Sequence, residues 1–137
     1  MTARAEQWKP PTNTGVEAVR AGQWWDAVRM ASDLGTPVLE LLGDRSGAVI
    51  EDTNSRLMYW LVRPGANAGR WPHRQVQVLT ETPAMLSYVG VPGTARSGPG
   101  PCWRVPPDGA YLTDTVELEA AVVAVLLARH EVLREVR

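Results

Sequence analysis

The residues best suited to chemistry sit in the middle of the chain. Arg70, Trp71, His73 and Arg74 crowd one short stretch, and Arg96, Trp103 and Arg104 follow further on. Cations interleaved with indole rings suit single-stranded nucleic acid, phosphate to guanidinium and base to ring, at ~1–3 kcal/mol per stacked base. Arg56 and Arg63 extend the set. Between residues 53 and 107 six arginines stand against Glu81 alone, a local charge of +5 in a chain whose net charge is −1. Lys9 is the single lysine, so nearly every cation is the planar fork that grips phosphate or carboxylate. DNA or RNA is the partner this chemistry implies. The competing reading has Trp71 and Trp103 plugging the core and the arginines as solvated charges, their number reflecting GC-rich codons. Trp24 and Trp25 form a second candidate set, an aromatic pair for a protein partner or for self-association. With no Phe in the chain, tryptophan must also supply core volume, which argues for burial of at least one of them.

Other chemistries lack their residues. Cys102 is the only cysteine, and His73 and His130 lie far apart, so no disulfide framework and no zinc spacing exists. No catalytic residue, metal or cofactor is expected. The glycines between residues 93 and 100 lack the Gly-Lys-Ser/Thr ending of a phosphate loop. Glu51 and Asp52 are adjacent and point to opposite faces of a strand, and Glu117 and Glu119 on a helix are about 200° apart. The longest apolar run, Ala120 to Ala128, falls short of the ~20 residues of a membrane span, and no signal sequence opens the chain. A reducing, cytoplasmic setting is the expectation.

The elements that must position these residues centre on Gly47 to Gly65. Ala48–Ile50 and Leu57–Val62 are apolar runs joined by Asp52-Thr53-Asn54-Ser55, a hairpin in which Asn54 suits a positive φ. Leu57, Tyr59 and Leu61 face one way and Met58, Trp60 and Val62 the other, so this strand belongs mid-sheet with both faces covered. Residues 1–15 read as a flexible arm ahead of one domain spanning 16–137. Residues 16–23 read as a helical or irregular lead-in, and 24–30 as a strand. Ser32–Leu42 reads as a helix with Leu34, Val38, Leu41 and Leu42 inward, Thr36-Pro37 as cap and first turn, and Gly43 closing it. Strands follow at Gln75–Leu79, Met85–Val91, with Met85, Val89 and Val91 on one face, and Cys102–Val105. Asp114 and Glu117 form a capping box for a helix over Val116–Val136, with Leu118, Val122, Val125, Leu126 and Leu133 inward and Ala121, Ala128 and Val132 extending the stripe. The sum is an α/β (α+β) single domain, a mainly antiparallel sheet of about five strands packed by two principal helices.

Two segments carry a family likeness. The hairpin GAVIEDTNSRLMYWLVRPG, then YVGVPGTARSGPGPCWRVPPDG, Tyr111-Leu112 and a terminal helix, resembles the back half of the bifunctional DNA primase/polymerase N-terminal domain. It is more similar still to short, reduced actinobacterial relatives. Tyr88-Val89-Gly90-Val91-Pro92 and Cys102-Trp103-Arg104 stand where the family has its Tyr-Val-x-x-Pro-Pro-like segment and its Tyr/Arg-Trp strand. The likeness covers residues 47 to 128 at most. It implies a replication-type scaffold, but the strand-borne acids two residues apart are missing, and the family's histidine would fall near Arg56 or Leu57. The function implied is a non-catalytic binding module associated with nucleic acid. A protein-interaction or regulatory domain, homodimeric in one version, is the alternative.

Overall fold

A computed structural model of the chain describes residues 8–65, 71 and 74–136, with side chains as far as residue 131. Among these residues the elements run β1 (Val16–Arg20), β2 (Asp26–Ala31), α1 (Ser32–Leu42), β3 (Val49–Asp52), β4 (Leu57–Val62), β5 (Val76–Leu79), β6 (Tyr88–Pro92), β7 (Pro101–Val105) and α2 (Thr115–Val136). Five strands form an antiparallel sheet in the order β5-β2-β4-β3-β7, and β1 and β6 form a separate two-stranded ribbon. The fold is therefore α+β, and β4 holds the middle of the larger sheet.

The alternation along β4 divides the interior in two. Met58, Trp60 and Val62 join Val28 and Met30 beneath Leu34 and Val38 of α1 and Leu118 and Val122 of α2. Leu61 turns the other way, into a second core with Trp8, Trp25, Ala27, Ile50, Val89 and Val91, against which Tyr59 packs half-buried. Helices, sheet and ribbon are thus three layers. Each buried Val, Leu or Met side chain contributes ~1.5–3 kcal/mol, which is why a strand apolar on both faces cannot lie at an edge.

Several local expectations give way to tertiary constraints. Residues 16–20 are a strand, because β6 supplies a ladder running from Val16↔Pro92 to Arg20↔Tyr88. In α1, Pro37 lies in the helix interior and Thr36 is no cap. The Ser32 N–H instead donates to the Arg56 carbonyl at 2.9 Å. A proline at position 37 removes the donor for the Asp33 carbonyl, and the Arg129 guanidinium of α2 fills that vacancy. Gly43 does close α1, its N–H reaching the Leu39 carbonyl. Leu41, expected inward, is exposed. The positive φ of the β3–β4 turn falls on Arg56, not Asn54; the Asp52 carboxylate spans the turn by accepting the Asn54 and Ser55 N–H groups.

Met85 is likewise exposed, in a turn with Thr82 that precedes β6. In α2, Leu118, Ala121 and Val122 are buried, Val125 and Leu126 pack partly buried, and Ala128 is exposed. The side chains of Val132 and Leu133 lie outside the described residues. The capping box is half formed. The Asp114 carboxylate accepts the Val116 and Glu117 N–H groups, while the Glu117 side chain pairs with Arg45 at 3.0 Å.

Residues 8–15 are tied down. Trp8 is buried against Trp25 and Tyr111, and the Gly93, Thr94 and Ala95 N–H groups donate to the carbonyls of Gly15, Pro11 and Asn13. A Cβ at Gly93 would sit 1.9 Å from the Asn13 oxygen, a backbone atom that cannot swing aside. Gly93→Ala should therefore cost about 1–3 kcal/mol and release this segment. Limited proteolysis should cut the variant between residues 9 and 15 well before the parent; equal protection would show that the approach is looser than drawn.

Candidate functional site

The described arginines of the island do not assemble as a unit. Arg56 and Arg63 flank β4, so a six-residue strand holds them roughly 20 Å apart, at opposite ends of the sheet. Arg96 is spent on main-chain carbonyls, donating to those of Pro101 (2.8 Å) and Pro99 (2.8 Å) in its own loop and of Thr14 (3.3 Å) in the N-terminal segment. Arg104 pairs with Glu51 across the β3–β7 edge at 2.9 Å. Trp103 is half-buried and donates its indole N–H to the Pro92 carbonyl at 2.8 Å. Trp71 packs half-buried against the helix-side core, its indole N–H unpartnered. Arg70 and His73 lie outside the described residues. Of the tryptophan pair, Trp25 is fully buried, which removes it from any interface, whereas Trp24 stays half-buried at a groove wall.

Register does bring some cations together. β5 and β4 both pair with β2, so Val76, Met30 and Met58 lie level across three strands. Arg56 and Arg74 therefore leave the sheet at the same end, the end where β2 runs into α1. Arg129 reaches that corner too, through its bond to the Asp33 carbonyl. None of the three makes an ion pair among the described residues.

A second constellation was not legible in the sequence. A groove of about 590 Å³ is lined by Glu17 to Arg20 of β1 together with Trp8, Lys9, Trp24 and Tyr88. Arg20 is held 3.6 Å from Glu81, and Lys9 makes no ion pair among the described residues. The only advance signal was weak in kind: Lys9 is the lone lysine, set beside a tryptophan. A smaller recess of about 330 Å³ places Arg63 opposite Asp114 and Thr115, where α2 begins.

The remaining polar group of note is Asp26, 1% exposed at the head of β2. Its Oδ2 accepts the Gly65 N–H at 2.8 Å and its Oδ1 has no partner. Burial raises the carboxyl above its ordinary value, with the Gly65 N–H and the Thr80 hydroxyl pulling the other way. The native state thus holds this proton more tightly than the unfolded chain. The group's contribution is fully favourable below the unfolded value of 3.8 and is lost as pH rises through the folded value. Asp26→Asn should flatten that part of the pH profile, so that the variant gains on the parent as pH rises from 4 to 7 in urea titrations. Parallel profiles would show that Asp26 holds its proton equally tightly in the folded and unfolded chain.

Among the described residues no three of His, Cys, Asp and Glu gather as a cation site. Glu51 is paired with Arg104 and Asp52 is committed to its turn. No described helix is long and apolar enough to cross a membrane. Comparison of the chain with protein-family models, with curated proteins and with solved structures finds no match.

Proposed function

We propose that the protein is a non-catalytic binding module on a prim-pol-like scaffold and associates with single-stranded nucleic acid. The observation that carries this reading is the corner where β2 meets α1. There Arg56, just ahead of β4, Arg74, just ahead of β5, and Arg129 of α2 stand without carboxylate partners among the described residues. Three guanidinium groups that neutralise three phosphates predict an affinity falling with salt at a log–log slope of about −2. Glu51 and Asp52, the adjacent acids of β3, are engaged in a salt bridge and a turn.

The test is a low-salt titration of a labelled oligothymidylate, repeated at rising salt and with Arg56→Ala/Arg74→Ala. Binding whose salt slope shrinks by about 1.4 in the double variant supports the reading. Absence of binding at low salt, or a slope untouched by the double variant, would end it.

A further inference from the structure

We propose that the groove beside β1 takes an extended acidic peptide, which adds to β1 as a third strand of the ribbon. This goes beyond the nucleic-acid reading. The groove opens near the start of β2, and the arginine corner lies at its far end.

The argument starts from hydrogen-bond parity. In an antiparallel pair, residues alternate between those that bond to the partner strand and those whose N–H and C=O point away. At one end of the ribbon the Ala21 N–H donates to the Ser87 carbonyl, and at the other the Gly93 N–H donates to the Gly15 carbonyl. The register fixes the residues between. Gly15, Glu17, Val19 and Ala21 therefore face β6, and Val16, Ala18 and Arg20 aim their backbone groups at the open side. Pro92, which has no N–H, sits opposite Val16, where the parity needs none. No strand pairs with β1 on that side, and no described backbone group bonds to Val16, Ala18 or Arg20 from there. Four successive residues of this strand line the groove. Its volume falls within the range of ligand pockets, and the five residues of β1 offer ~16 Å of edge.

An incoming strand satisfies such an edge with main-chain hydrogen bonds and gains specificity from alternate side chains. The groove states which side chains. Arg20 is already held by Glu81, so Lys9 is the cation of this lining left to meet a carboxylate, beside Glu17, and the rings of Trp24 and Tyr88 offer apolar contact. Met85 and Leu86, just ahead of Tyr88 in the chain, are exposed as well. A strand alternating acidic and apolar residues matches this pattern.

The probe is a capped, fluorescein-labelled heptapeptide of alternating valine and aspartate, with a second version N-methylated at alternate amides. Ala18→Pro removes an outward N–H while leaving every bond to β6 in place. We expect the heptapeptide to bind, and Ala18→Pro, Lys9→Ala and the N-methylated probe each to weaken binding tenfold or more. In hydrogen exchange by NMR the Ala18 and Arg20 amides should exchange quickly in the free protein and slow tenfold or more with the probe. Those of Val19 and Ala21 should be protected throughout. Binding unaffected by Ala18→Pro and by N-methylation would overturn strand addition. So would concentration-dependent dimerisation abolished by Ala18→Pro, which would assign the edge to a second copy, or an oligothymidylate that displaces the peptide. If Ala18→Pro fails to fold, the N-methylated probe and the exchange pattern decide. Loss of oligothymidylate binding in Arg56→Ala/Arg74→Ala, with peptide binding intact, would show the two sites to be separate.

Discussion

Trp60→Ala should remove about 3–5 kcal/mol of stability, a large share of the ~5–15 kcal/mol typical of a domain. Trp60 is fully buried, in the middle of the central strand, between Val28 on one neighbour and Val49 on the other. Its indole N–H donates to the Ser46 hydroxyl at 3.2 Å, so truncation also strands a hydrogen-bonding group that was satisfied. Neither α1 nor α2 can follow the side chain into the space left, because both rest on the rest of the same core. Guanidinium unfolding should show a lower midpoint with an unchanged slope. A loss below ~1 kcal/mol would mean that β4 is not the strand around which the sheet is built. Tyr59, one position away and half-buried on the opposite face, should tolerate truncation better, since part of its ring is already in water.

Trp25→Ala is expected to cost nearly as much in the other core. Trp25 is fully buried, and its ring meets Trp8 edge-on at 5.6 Å between centroids. Such a pair adds ~0.5–1.5 kcal/mol beyond the burial of area. Its indole N–H has no partner, so no hydrogen bond is lost with it, and the total should fall somewhat below that of Trp60→Ala. The consequences differ in kind. Trp8 stands between Trp25 and Tyr111, and Trp8 and Lys9 form a wall of the β1 groove. The variant should therefore expose residues 9–15 to protease under conditions where the fold persists, and it should weaken heptapeptide binding while leaving oligothymidylate binding unchanged. Loss of both ligands in proportion to the unfolded fraction would instead assign Trp25 a purely global role.

Some of this architecture was written locally. Apolar residues on both faces of Leu57–Val62 are unstable anywhere but between two covering layers, so the centre of the sheet could be read from six residues. The helix over Ser32–Leu42 carried its own periodicity, and Gly43 its own stop signal. The separation of Arg56 from Arg63 was also implicit, because a strand between two residues sends them to opposite ends. Charge counted along a sequence says nothing about charge gathered in space.

The rest was decided by partners far along the chain. VEAVR becomes a strand because β6, some seventy residues later, offers it a ladder. Which of two adjacent tryptophans turns inward depends on the phase of β2, and that phase is set jointly by β4 and β5. Pro37 is tolerated within a helix because Arg129 reaches across to the carbonyl that the proline leaves open. The groove is the fullest case: its lining joins a strand whose identity depended on long-range pairing to a segment docked by Trp8. Local patterning sufficed wherever burial was demanded of neighbouring residues together. Wherever hydrogen bonds had to be satisfied from a distance, only the folded chain could choose.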